Sequence, residues 1–247
     1  MAIITALNYS PNFDLNKRRK TQIKFIIFHY TGMKKESEAV SRLTDIQSEV
    51  SSHYMIKNNG DIISMVPELY TAWHAGKSSW KNFISLNKHS VGIEISNPGH
   101  KYNYRKFKKK QINSLLKLSK YLIKKYKIGP ENILGHSDIA PDRKKDPGEN
   151  FPWEYMAKKK VGLWHTLKKR TLKNYRNKKI DIKDRKIFLN NLFKIGYKKK
   201  LHINMKKEKQ QKFIIKAFQR RYRQDLVDGK IDQECLLISQ NLIQKFY

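Results

Sequence analysis

The spacing of apolar residues changes several times along the chain, and each change marks an element. Residues 23–28 are almost continuously apolar (Ile23, Phe25, Ile26, Ile27, Phe28) and read as a buried strand, with His29 directly after it. Past Gly32 the apolar positions Ala39, Val40, Leu43 and Ile46 recur at helical spacing, and Ser51-Ser52 ends that pattern. Two short apolar runs, 53–57 and 61–66, flank Asn58-Asn59-Gly60 and predict a hairpin, because that turn chemistry supplies positive φ. Residues 91–96 read as another strand, with Glu94 set among apolar neighbours. From 106 to 127 the stripe Ile112, Leu115, Leu116, Leu122, Ile123 and Tyr126 predicts an amphipathic helix with lysines on its outer face. Gly129-Pro130 stops it, and a short strand at 132–134 leads into Gly135-His136. Strands interleaved with helices predict an α/β unit over residues 1–167, a mixed central sheet flanked by helices and closed by Phe151, Trp153 and Trp164.

Beyond that unit the pattern is different. Residues 168–182 are strongly basic and read as a linker or a solvated helix. Three apolar stripes follow at helical spacing: Ile187, Leu189, Leu192, Phe193 and Tyr197; then Phe213, Ile214, Ala217, Phe218 and Tyr222; then Leu236, Leu237, Ile238, Leu242 and Ile243. A turn at Val227-Asp228-Gly229 separates the last two, and a Met- and Lys-rich stretch around 198–210 lengthens the first connection. Residues 183–247 are therefore expected to form a small three-helix, all-α C-terminal domain.

The chemistry concentrates at 135–148, GHSDIAPDRKKDPG, where Gly and Pro predict an ordered loop. His136 and Asp146, ten positions apart, are two of the three protein ligands a catalytic zinc needs; a fourth position stays open for water. His29, held on rigid backbone beside a core strand, is the candidate third ligand. His53 qualifies by residue type, but it sits inside a strand and reads as structural. Glu94 is a carboxylate in an apolar strand, costly unless paired or functional. The loop AWHAGKSSW, with Trp73, His74 and Trp80, suits glycan or peptide contact or else caps the core.

FIIFHYTG, VGIEISNPG and GHSDIAPDRKKDPG, in that order, resemble the three motifs of the zinc N-acetylmuramoyl-L-alanine amidases of the peptidoglycan-recognition-protein fold, the AmpD/AmiD type. The similarity runs from about Asn8 to about Trp164; Asp142 departs from it, standing where Gly is common. The resemblance implies one Zn2+ per chain on His29, His136 and Asp146. It also implies hydrolysis of the amide joining the lactyl group of N-acetylmuramic acid to L-Ala. Glu94 is the expected general base, a role favoured by Ser52, which stands where related phage amidases carry Tyr. Lys144, two residues before the Asp ligand, is expected to stabilise the developing oxyanion. Trp73 and His74 are expected on the rim of the substrate groove. Arg143 either matches a stem-peptide carboxylate with its guanidinium fork or is one more exposed base. FKIGY, AFQRRYR and VDGKIDQE further resemble a three-helix peptidoglycan-binding module. The rival in the same fold is a peptidoglycan receptor that only binds; the complete ligand set favours the hydrolase.

Charge adds three readings. The 247 residues carry a formal net charge of +32. That suits nucleic acid, the anionic carboxylates of a cell wall, or simply solvated faces with surplus lysine. No nucleic-acid module is recognisable, so the expected partners are peptidoglycan or muropeptides and no specific nucleic acid. Cys235 is the only cysteine, which excludes an intrachain disulfide. The first residues, MAIITAL, lack the features of a signal peptide, and no apolar run approaches the ~18 residues of a membrane span. A wall-binding module points to a periplasmic or secreted location, the missing leader to the cytoplasm. Oligomeric state is not legible.

Overall fold

The computed structural model describes residues 5–199, 201 and 206–247. Residues 1–4, read above for a leader, and most of the lengthened connection (200 and 202–205) lie outside the described residues. In chain order the strands are β1 (Thr5–Leu7), β2 (Phe13–Asp14), β3 (Phe25–Tyr30), β4 (Tyr54–Ile56), β5 (Ile62–Ser64), β6 (Thr71–Ala72), β7 (Ser79–Trp80), β8 (Phe83–Ile84), β9 (Ser90–Ile95) and β10 (Ile133–Gly135). Six of them form one sheet in the order β1-β5-β4-β9-β3-β10. Only β4 and β5 pair antiparallel within it, so the sheet is mixed, as the sequence pattern predicts. Their turn is the expected one, with Gly60 at φ +94° and Lys57 N donating to Asp61 O at 2.9 Å.

The central strands are buried on both faces, which is why they read as unbroken apolar runs. Ile26 and Phe28 of β3 and Val91, Ile93 and Ile95 of β9 join Ile112, Leu115, Leu118 and Leu122 of helix α2, which follows α1 (Glu36–Thr44) and spans Lys109–Tyr126. Alternate residues face the other way. There Phe25, Ile27 and Leu134 join residues of helices that come far later in the chain.

Those are α6 (Ile182–Ile195), α7 (Lys207–Tyr222) and α8 (Gln233–Phe246), reached after α3 (His136–Ile139), α4 (Trp153–Lys158) and α5 (Lys169–Lys173). The three expected C-terminal helices are present, but they share a core with the sheet: Phe188, Leu192, Phe218, Ile238 and Leu242 pack in one cluster with Phe25, Ile27 and Leu134. An amphipathic stripe specifies a buried face, not its partner. The basic stretch before them is also folded in. Leu172 of α5 is buried, and Arg176 makes bonds of 2.6 and 2.8 Å to Glu234. Ile46, placed on the buried stripe of the first helix by its spacing, is exposed because the chain leaves α1 at Asp45. Among the described residues no helix is long and apolar enough to cross a membrane.

Candidate active site

Topology brings the first two candidate ligands together. β10 pairs parallel with β3 in the register Gly135↔Phe28, so His136, the next residue, emerges beside His29. The chain turns there into α3, loops through 140–145, and returns with Ser137 N donating to Asp146 O at 2.8 Å. That bond delivers Asp146, the third candidate ligand. His29 Nδ1 lies 2.9 Å from His136 Nδ1 and 3.0 Å from Asp146 Oδ2, and His136 Nδ1 lies 3.1 Å from Asp146 Oδ2. All three side chains are buried. Atoms about 3 Å apart sit roughly 1.7 Å from the centre of their triangle, within the reach of the ~2.0–2.1 Å of Zn–N and ~2.0–2.2 Å of Zn–O bonds. The donor set, two imidazoles and one carboxylate, fits a catalytic zinc.

The protonation states suit it too. Burial pushes the pKa of both imidazoles below the ordinary value. Burial alone would raise Asp146, but the imidazoles of His136 and His29 hold it well below the usual carboxylate range. The outer nitrogens of both rings are occupied: His136 Nε2 lies 3.1 Å from Ala75 O, and His29 Nε2 lies 3.0 Å from His74 Nδ1.

A groove of about 500 Å³ opens here, lined by His136 and Asp146 together with Arg42 and Leu43 of α1 and with Arg143 and Lys144. Glu94 stands directly opposite His29 in the β3–β9 register. Its Oε2 is buried without a hydrogen-bond partner, and its pKa is pushed up to about 7, by burial first and then by the Asp146 charge, against the opposing pull of His29 and Lys144. Lys144 lines the same groove.

The other candidates divide. Trp73 lines the groove and its Nε1 donates to Asp14 Oδ1 at 2.8 Å. Arg143 is exposed at the groove, but its Nε donates to Lys77 O at 3.1 Å and its Nη2 to Lys77 O at 2.7 Å and to Ala75 O. Much of that fork is therefore spent bracing the 75–77 loop. His74 lines the groove, yet it is buried and both of its ring nitrogens are engaged by protein, Nδ1 by His29 and Nε2 by Ser90 Oγ at 3.2 Å. It offers a ligand no polar edge. His53 is no ligand: its Nδ1 accepts from Gly92 N at 3.0 Å and its ring meets His74 edge-on. Sequence reasoning passed over Ser90, Gly92 and Ala75. An isolated Gly inside a strand was the one available signal, since it marks a close approach.

Two imidazoles and a carboxylate on a metal-sized triangle, with an unpaired carboxyl on the neighbouring strand, are the arrangement of a metal-assisted hydrolase on an α/β sheet. The chain belongs to the N-acetylmuramoyl-L-alanine amidase family, whose Amidase_2 domain matches residues 19–149. It is 35% identical to the N-acetylmuramoyl-L-alanine amidase AmiD of Escherichia coli K12 over 95% of this chain and 89% of that protein. It is 34% identical to the 1,6-anhydro-N-acetylmuramyl-L-alanine amidase AmpD of Haemophilus influenzae over 59% of this chain and 86% of that protein. Among solved structures, E. coli AmiD in complex with anhydro-N-acetylmuramic acid-L-Ala-D-gamma-Glu-L-Lys superposes with a TM-score of 0.79 at 34% identity, covering 91% of this chain and 90% of AmiD. AmpDh3 of Pseudomonas aeruginosa gives 0.77 at 29% identity, covering 94% and 98%.

Proposed function

We infer that this protein hydrolyses the amide between the lactyl group of N-acetylmuramic acid and the L-Ala of peptidoglycan stem peptides. The observation that carries this is the convergence of His29, His136, Asp146 and the unpaired Glu94 on one groove. Its support is similarity over nearly the whole chain to AmiD, whose complex holds a muramyl peptide.

An unactivated amide resists water because water is a weak nucleophile and the tetrahedral oxyanion is high in energy. His29, His136 and Asp146 would hold a zinc ion, which would supply Lewis acidity, lowering the pKa of water toward ~7 and polarising the carbonyl. Glu94 takes the proton of the attacking water and returns it to the leaving amine; a carboxyl with a pKa near 7 can do both at neutral pH. Lys144, which lines the groove, supplies an ammonium that stabilises the developing oxyanion. Trp73 offers a flat apolar wall to sugar or peptide, and Arg143 holds the 75–77 loop with what remains of its fork turned to stem-peptide carboxylates. We extend the reading to α6–α8 as a surface for the anionic wall, in keeping with the net charge of +32.

Glu94→Ala tests the reaction. Release of peptides beginning with L-Ala, followed by mass spectrometry on sacculi and on anhydro-muropeptides side by side, should cease while zinc stoichiometry stays near one per chain. Retained turnover would remove Glu94 from the chemistry, and a wild-type protein that binds muropeptides without cleaving them would be a receptor instead.

A further inference from the structure

We propose that the dipeptide His74-Ala75 is a positioning device that sets the tautomer of both imidazole ligands, through the His74 ring for His29 and through the Ala75 carbonyl for His136. Each ligand must turn a bare Nδ1 toward the ion, which requires its proton on Nε2. Ala75 O, 3.1 Å from His136 Nε2, can only accept, so that ring has one tautomer available. His29 faces a harder problem, because its neighbour His74 is itself a ring with two tautomers.

Ser90 resolves it. Its Oγ donates to Leu86 O at 2.6 Å, and a hydroxyl has a single proton, so toward His74 Nε2, 3.2 Å away, it is an acceptor. That places the His74 proton on Nε2 and leaves His74 Nδ1 bare. The bare Nδ1, 3.0 Å from His29 Nε2, then accepts the His29 proton. The chain of bonds thus runs one way, from the ligand through His74 and Ser90 to a backbone carbonyl. The reverse direction would strip Leu86 O of its short bond and put a proton on His29 Nδ1, where the ion belongs.

The sheet is built around this ring. Gly92 lies beneath His74, and a Cβ there would come within 2.4 Å of His74 Cγ. The neighbouring strand therefore omits a side chain just where the ring lies. His53, locked by Gly92 N on its Nδ1, closes another side at a ring separation of 5.5 Å. A space-filling role needs none of these polar partners.

The inference rests on the metal reading of the site, and its readouts do not use turnover. Long-range 15N NMR of the zinc-loaded protein should find Nε2 protonated in His29, His74 and His136, with Nδ1 of His74 bare. A proton on His74 Nδ1 overturns the proposal. In chelator competition, His74→Leu should weaken zinc binding ~10–100-fold. His74→Asn, whose amide oxygen can replace the acceptor, should stay within about threefold of wild type. Equal losses for the two, or no loss for Leu, would make the ring a filler. Should the Leu variant fail to fold, Ser90→Ala decides: it keeps the ring and removes the acceptor, so weakened zinc binding with mixed His74 tautomers is expected, and unchanged binding overturns the relay. A wild-type protein that takes up no zinc would instead remove the metal reading itself.

Discussion

Glu94 carries opposite consequences for catalysis and for stability. As the proposed general base its carboxyl must be ionised to accept a proton, so turnover should rise along an acid limb and level off above it, and Glu94→Gln should remove that limb while lowering kcat/KM ~10²–10⁴-fold. Its raised pKa destabilises the fold. Because the folded-state value lies above the ordinary 4.5, the favourable contribution is complete below that value and is lost as pH climbs through about 7. Metal-free Glu94→Gln should therefore be more stable than wild type at pH 8, by on the order of 1–3 kcal/mol, and no more stable at pH 4. Denaturant titrations at the two pH values check it.

At the level of elements, β9 does three jobs with alternate residues on one face: Ser90 accepts from His74, Gly92 leaves room for its ring, and Glu94 faces the groove. Gly92→Ala needs no unusual backbone, so its whole effect is the clash with His74. It should weaken zinc binding by about tenfold or more and become nearly silent when His74 is already Ala, a double-mutant cycle that isolates the contact. Helix α3, which carries His136, is clamped at Asp138. That carboxylate accepts from Gly135 N at 2.8 Å, Arg221 Nη1 at 2.7 Å and Tyr197 OH at 2.7 Å. Arg221→Met would leave a buried carboxylate short of its cation, at a cost of ~3–5 kcal/mol read from chemical denaturation.

Across the whole molecule, the C-terminal helices are the second layer of the sheet. Truncation after residue 182 would expose the face formed by Phe25, Ile27 and Leu134 and remove both Arg221 and Tyr197 from Asp138. The shortened chain should be insoluble or lack a cooperative melt by calorimetry, whereas a self-standing catalytic unit would melt sharply. Any wall-binding role of α6–α8 is therefore best tested by charge changes on exposed lysines in the full chain, with sedimentation on purified sacculi as the measurement.

Local pattern was enough to place five of the six strands of the mixed sheet, α1, α2 and the candidate ligands His29, His136 and Asp146, because burial period and turn chemistry are written into neighbouring residues; the edge strand β1 was missed. It was also enough to single out Glu94, an acid in an apolar strand. Tertiary structure alone decided that His74 faces His29 and Ser90 rather than a ligand, that Ala75 contributes a carbonyl, and that α6–α8 pack on the sheet. Those outcomes depend on which distant surfaces meet, and on backbone groups that every residue carries alike, so no local pattern of side chains records them.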